Sequence, residues 1–337
     1  MKPDARRLLN AAFAAAGILI LAALILKVGL AGWEKLLRGM DPGVLLSAVM
    51  AYAAVWVFRT LRLRRIIRHR GGRISACRTF EIHVAGFALN AVLPAKAGDV
   101  ATVGFLKREG IEIATAAAIV VQTRILDILA LALVMIPSWF RLAGKDAPLW
   151  MVSSFLLCLL LVAVPFGIVW ADRERRVSRF FDRAGMNSER PFRSRALAKM
   201  GEAYDAFHAM ARDGWLMAVS VLYSVIVWLC EGGVCYLLFQ ALGVGVSPEA
   251  AVLAVALGNA GKGFQVTPGG IGVYEGILTV VLCEFGVPFD AAAAVAVLDH
   301  LIKKGFNLAF GLYALVRLRV RPGFGSGGAS SNSLKAK

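Results

Sequence analysis

Residues 149–170 form an apolar run without a single charged side chain, and largely apolar runs recur at 8–26, 43–58, 113–136, 215–242 and 291–316. About twenty apolar residues in a helix cross a hydrocarbon layer roughly 30 Å thick. Backbone in that layer must satisfy its own hydrogen bonds, so a chain of this kind folds as spanning helices or a closed barrel. The length of the runs selects helices, and the expected class is an all-α, polytopic membrane protein with about six full spans. With 58% hydrophobic residues in a chain of 337, little is left for a large soluble domain.

Two further apolar stretches are too short to span and are broken by proline and glycine. Residues 80–93 end at Leu93-Pro94, and 100–106 carry the chain back past Gly98-Asp99. Residues 250–266 meet Thr267-Pro268-Gly269-Gly270-Ile271-Gly272-Val273-Tyr274-Glu275, and 271–285 return. Each pair is expected to be a re-entrant hairpin, because interrupted backbone at membrane depth survives only against protein or a wet cavity. The order span, span, hairpin, span then occurs twice. Parity places the two hairpins on opposite sides, the signature of an inverted repeat. The expected halves are 1–140 and 149–320 of one membrane domain, 1–320, with a disordered cytoplasmic tail at 321–337.

The net charge of +16 arises from 38 Lys and Arg against 22 Asp and Glu. The arginines cluster between apolar runs, at 59–78 and 173–195. That is the pattern of cytoplasmic loops in a multi-pass inner-membrane protein with both termini inside, and not of a nucleic-acid surface. Leu197, Met200, Tyr204, Phe207 and Ala211 follow at helical spacing. They predict an amphipathic helix lying on the membrane surface or against another protein segment. Five cysteines show no metal or redox spacing, and no P-loop, HExxH or GxSxG motif is present. No cofactor or metal is expected.

Charge inside a span costs about 2.5–3.5 kcal/mol or more and needs a reason. Arg124 and Asp127 share a helix face, either as a neutralising pair or as a grip on an anionic group. Glu231 stands alone in its span. Asp299 and Lys303 are four apart, while Lys304 has no local partner. Lys262 precedes the second break and Glu275 follows it. A helix beginning after either break presents free N–H groups suited to phosphate. Gly269 and Gly270 imply close backbone approach to a helix or to a ligand.

At these residues the chain resembles the lysylphosphatidylglycerol synthase transmembrane region, a flippase-like family of bacterial and archaeal membrane proteins. The stretches are Asn90-Ala91-Val92-Leu93-Pro94 with Gly98-Asp99, Arg124 with Asp127, and 267–275. The resemblance spans about residues 10–320. It departs where family members often carry an arginine after Gly-Asp; here Val100-Ala101-Thr102 follow. In fused members a C-terminal aminoacyl-transferase makes lysyl-phosphatidylglycerol and the membrane region moves it outward. This chain ends about twenty residues after its last span and resembles the membrane part alone.

The resemblance and the buried charges together imply a lipid translocase acting on an anionic or aminoacylated phospholipid. Arg124, Lys262 or Lys303 would hold phosphate. Asp99, Glu231, Glu275 and Asp299 would pair with these or with a cationic headgroup, and Asp127 would orient the phosphate held by Arg124. Asn90, Pro268, Gly269 and Gly270 would shape the breaks. The rival readings are a membrane transferase using a lipid-linked donor, with Asp99 or Glu275 as general base, and a scaffold for a lipid-synthesis complex. A homodimer and a lipid-synthesis enzyme partner are compatible with each.

Overall fold

The computed structural model describes residues 18–93, 96–142, 149–187, 191–262 and 267–320. Stretch 8–17 of the first expected span, Pro94 with Ala95 in the first break, and the tail 321–337 lie outside them. No strand occurs among the described residues. The chain is an all-α polytopic membrane protein, as its apolar runs require.

The helices are α1 (Ile18–Val28), α2 (Leu30–Gly39), α3 (Pro42–His69), α4 (Ala76–Val92), α5 (Ala97–Arg108), α6 (Ile113–Leu142) and α7 (Leu149–Ala171). They continue as α8 (Arg176–Met186), α9 (Pro191–Ala211), α10 (Gly214–Ala241), α11 (Pro248–Lys262), α12 (Val273–Glu284) and α13 (Phe289–Val320). Among the described residues, Pro42–His69, Ile113–Pro137 and Gly214–Ala241 are long and apolar enough to cross a membrane. The 32-residue α13 extends roughly 48 Å at 1.5 Å per residue, and its charged residues, not its length, set it apart from those three.

Two expectations are corrected. The second span does not stop at residue 58: α3 continues to His69, carrying Arg59 and Arg62 into the interior, where they are 3% and 0% exposed. Partners from α6 and α10 make this tolerable, and no Pro or Gly interrupts the helix before Gly71. The expected loop at 137–148 is helical as far as Leu142, because α6 runs through Pro137. The amphipathic segment is α9, and it packs against α6 and α8. Phe207 and Met210 are buried. The protein contact expected as one of its two surfaces is present.

The molecule is built from two equivalent four-helix units, α3–α6 and α10–α13. Each opens on a capping aspartate: Asp41 Oδ1 accepts from the N–H of Gly43 and Val44, and Asp213 Oδ1 from Leu216. The next helix of each opens on a capping serine, Ser75 for Arg78 and Ser247 for Ala250. Both pairs of caps are 172 residues apart (41 to 213, 75 to 247), a spacing that a duplicated unit produces. After the breaks the offset is 176, with α5 and α12 starting at 97 and 273 and α6 and α13 at 113 and 289.

α3 and α10 pack side by side and antiparallel, since Asp41 N–H reaches Ala241 O at 3.0 Å while His69 lies 3.6 Å from Asp213. The opening helices of the two units therefore run in opposite directions. The contacts exchange accordingly: α4 lies on α13 as α11 lies on α6, and each hairpin also packs on the long helix that follows it. Each hairpin closes through a glycine at the same register. A Cβ on Gly258 would meet the Tyr274 ring at 2.8 Å, and Gly86, 172 residues earlier, faces Thr102 and Gly98 just as tightly. Small residues allow such approach where apolar burial gives helices in lipid little drive to associate.

Candidate functional site

The buried charges of both repeats gather around the α3–α10 contact. Arg59 on α3 bonds Glu231 on α10 at 2.9 Å, and its guanidinium lies 5.7 Å from the rings of both Trp56 and Trp228. The Glu231 carboxylate also binds Lys303 of α13 at 2.9 Å, and Lys303 returns to Asp299 at 2.8 Å. Tyr274 OH closes the chain on Asp299 at 2.6 Å. Glu231, alone in its own span, thus has two cations from other helices. Lys303 is held by two carboxylates and the Glu231 carbonyl, which leaves it poorly placed to grip a phosphate.

A second cluster joins α3 to the first hairpin. Arg62 bonds Asp127 at 2.6 Å and Ser224 at 2.6 Å. Arg124 holds Asp99 with two N–H groups, at 2.9 and 2.5 Å, and stands 3.6 Å from Asp127. The expected Arg124–Asp127 pairing is therefore the weaker of two. Asn90 donates to Asp99 at 2.8 Å and accepts from Gly98 N–H at 2.8 Å, fixing the start of α5. Arg59, Arg62, Arg124 and Lys303 thus meet Glu231, Asp127, Asp99 and Asp299 one for one. Four ion pairs are the minimum that makes such burial affordable, since an unpartnered buried ion costs several kcal/mol.

The second break is different. Pro268–Gly270 forms a short 3₁₀ turn, with Gly269 and Gly270 at φ of 65° and 78°. Glu275 reaches back from the first turn of α12 to accept from Gly272 N–H at 2.8 Å; its other oxygen contacts His300 Nδ1 at 2.6 Å. One oxygen thus caps α12 and the other ties it to α13. Two ammonium groups face the turn. Lys262 Nζ sits 3.7 Å from the centre of the Tyr274 ring, and its stem packs where a Gly270 side chain would stand. Lys304 Nζ lies 3.4 Å from the Cβ position of Gly269. Successive residues of a helix point about 100° apart, so Lys303 joins the buried pairs while Lys304 turns to the break. Among the described residues neither Lys262 nor Lys304 has an ion-pair or hydrogen-bond partner.

The repeat makes this asymmetry explicit. Asp99 and Glu275 are 176 apart, as are Arg124 and His300, and Asp127 and Lys303. The positions matching Lys262 and Lys304 hold Asn90 and Ile128. The two lysines at the second break thus have no lysine at the matching positions of the first.

The family described as lysylphosphatidylglycerol synthase TM region matches residues 9–311. The chain belongs to that family. Within it, the chain is 26% identical to a UPF0104 membrane protein of Methanothermobacter thermautotrophicus over 92% of its own length and 94% of the relative's. It is 22% identical to UPF0104 membrane protein PH1989 of Pyrococcus horikoshii, over 85% and 90%. It is also 26% identical to glycosyltransferase AglD of Haloferax volcanii, over 90% of this chain and 53% of that protein, so it spans about half of that relative.

Arg124, Asp127, Asn90 and Asp99 lie in one buried cluster, and Glu231, Asp299 and Lys303 in the other. Lys262, Gly269, Gly270 and Glu275 assemble at the second break. Arg59, Arg62, Tyr274 and His300 are additions. The first two were legible in principle, because their three-residue spacing continues the helix of the preceding span. Among the described residues no group of three His, Cys, Asp or Glu side chains is arranged to hold a metal ion.

Proposed function

We propose that this protein is a lipid translocase whose headgroup site is the second hairpin break. The observation that carries this reading is the pair of unpartnered ammonium groups, Lys262 and Lys304, at a turn of bare glycine backbone inside a membrane protein. Two partly buried lysines that lack an ion-pair partner become better charged, and better satisfied, when an anion sits between them. A phosphodiester supplies one, and its acyl chains stay in the bilayer while the headgroup enters. The paired clusters beside it serve as the rigid wall, and the inverted repeat supplies two related conformations, one open to each side.

The test is leaflet exchange of labelled phosphatidylglycerol, lysyl-phosphatidylglycerol and phosphatidylcholine in liposomes containing the pure protein. The expected result is exchange favouring the anionic headgroup, reduced at least about tenfold by Lys262→Gln with Lys304→Gln, the scale of one lost charge-assisted contact. A folded double variant that moves lipid at the wild-type rate would sink the proposal.

The similarity to a Haloferax glycosyltransferase favours a second reading, a membrane transferase that holds a lipid-linked phosphate donor at the same lysines. Sugar transfer from a polyprenyl-phosphate donor by the pure chain, without leaflet exchange, would select it.

A further inference from the structure

Arginines recur at every third position of α3, at Arg59, Arg62, Arg65 and Arg68, a spacing that carries the series halfway round the helix. The first two meet Glu231, and Asp127 with Ser224. Then the partners run out. Among the described residues Arg65 has no ion-pair partner: its guanidinium lies 5.7 Å from the Trp215 ring centre, and its buried Nε makes no hydrogen bond. The Arg68 side chain has no partner either. Both arginines line a half-open pocket of about 430 Å³ between the end of α3 and the start of α10. That volume suits a small headgroup.

The cavity is cationic. Arg64 also lines it, with Nε 3.4 Å from Ile74 O. Its one carboxylate, Asp213, is committed, with one oxygen capping α10 at Leu216 N–H and the other 3.6 Å from His69. The rest of the lining is Leu61, Trp215, Leu216 and Tyr223. Leu61 is 37% exposed, and Val57, one helical turn deeper on α3, is 56% exposed. An apolar strip therefore leads from the arginines toward the bilayer. Trp and Tyr at such a junction are typical of the headgroup level.

We propose that this cavity is a binding site for the phosphate of an anionic glycerophospholipid. Arg65 and Arg68 grip the phosphodiester as paired forks, Trp215 packs on the headgroup, and one acyl chain follows Leu61 and Val57. The site is separate from the lysines at the second break and stands whether or not the chain moves lipid.

The test is a titration of the full-length protein, in a neutral detergent, with dihexanoyl-phosphatidylglycerol, following tryptophan fluorescence. A saturable change is expected that disappears in Trp215→Phe and shifts to at least about tenfold higher concentration in Arg65→Gln with Arg68→Gln. Raising the salt to about 0.5 M should weaken binding to the wild type, a measurement that needs no variant. Dihexanoyl-phosphatidylcholine should bind more weakly. The proposal is overturned if the response is insensitive to salt, if it survives the double variant, or if phosphatidylcholine matches phosphatidylglycerol. It is equally overturned, in favour of a free-phosphate site, if sodium phosphate saturates the signal at the same concentration as the lipid. Leaflet exchange is measured separately, so either proposal can fail without the other.

Discussion

Arg59 and Glu231 occupy the same position in the two repeats, 172 residues apart, and bond each other at 2.9 Å. Trp56 and Trp228, also 172 apart, flank the guanidinium at equal distance. The pair therefore marks the pseudo-twofold between α3 and α10. A residue on such an axis faces its own counterpart, and identical charges there would repel. The repeats resolve this by carrying opposite charges at one position.

Removing Glu231 should accordingly be among the most damaging single changes. Glu231→Ala leaves Arg59 without its carboxylate and takes one of two from Lys303. The expected loss is about 3–5 kcal/mol, the usual cost of breaking a buried pair. Thermal unfolding in detergent would measure it. A variant as stable as the wild type would contradict the pairing.

Lys262 and Lys304 should behave in the opposite way. Neither has a partner to orphan, so Lys262→Gln and Lys304→Gln should leave the melting temperature unchanged or raise it, while lowering exchange of anionic lipid. A fall in stability comparable to that of Glu231→Ala would mean that these lysines are structural.

Gly269→Ala should be costly twice. Its φ of 65° is a left-handed conformation worth about 1–2 kcal/mol against an L side chain, and the new methyl would stand 2.8 Å from Ala91 O on α4. Gly245, which lies in open space, provides a control whose substitution by alanine should be nearly neutral. Comparing the two unfolding temperatures tests whether α4 really seats the second break.

Equivalent caps should cost equivalent amounts. Asp41→Ala and Asp213→Ala each remove an N-cap, worth about 1 kcal/mol, and the same holds for Ser75→Ala against Ser247→Ala. Strongly unequal losses in urea or thermal titrations would argue against a shared register.

Acid should loosen the α7–α8 junction before the membrane interior. Burial alone would raise the Asp172 carboxyl, but donation from Val177 N–H, Tyr204 OH and Arg176 N–H holds it below the usual aspartate range. A depressed carboxyl stabilises the folded form above its unfolded value of about 3.9 and loses that contribution as pH falls through the folded one. Amide exchange at the start of α8 should therefore quicken below about pH 4, and Asp172→Asn should abolish the dependence.

Much of this architecture was legible in the chain. The apolar runs demanded spanning helices, and the proline–glycine motifs located both breaks. Asp299 with Lys303 could be read from their spacing of four, since neighbours on one helix face need no knowledge of the rest of the fold. The register of the repeat stayed hidden, because it is carried by caps and glycines whose roles show only in three dimensions. Arg59 and Arg62 looked like loop arginines for the same kind of reason: their partners lie 172 and 65 residues away. Sequence by itself determined the helical membrane class, the breaks and the presence of buried charge, because these follow from local hydropathy and backbone chemistry. Only the tertiary structure decided which charges cancel and which remain, because neutralisation depends on distances of about 3 Å between helices far apart in the chain.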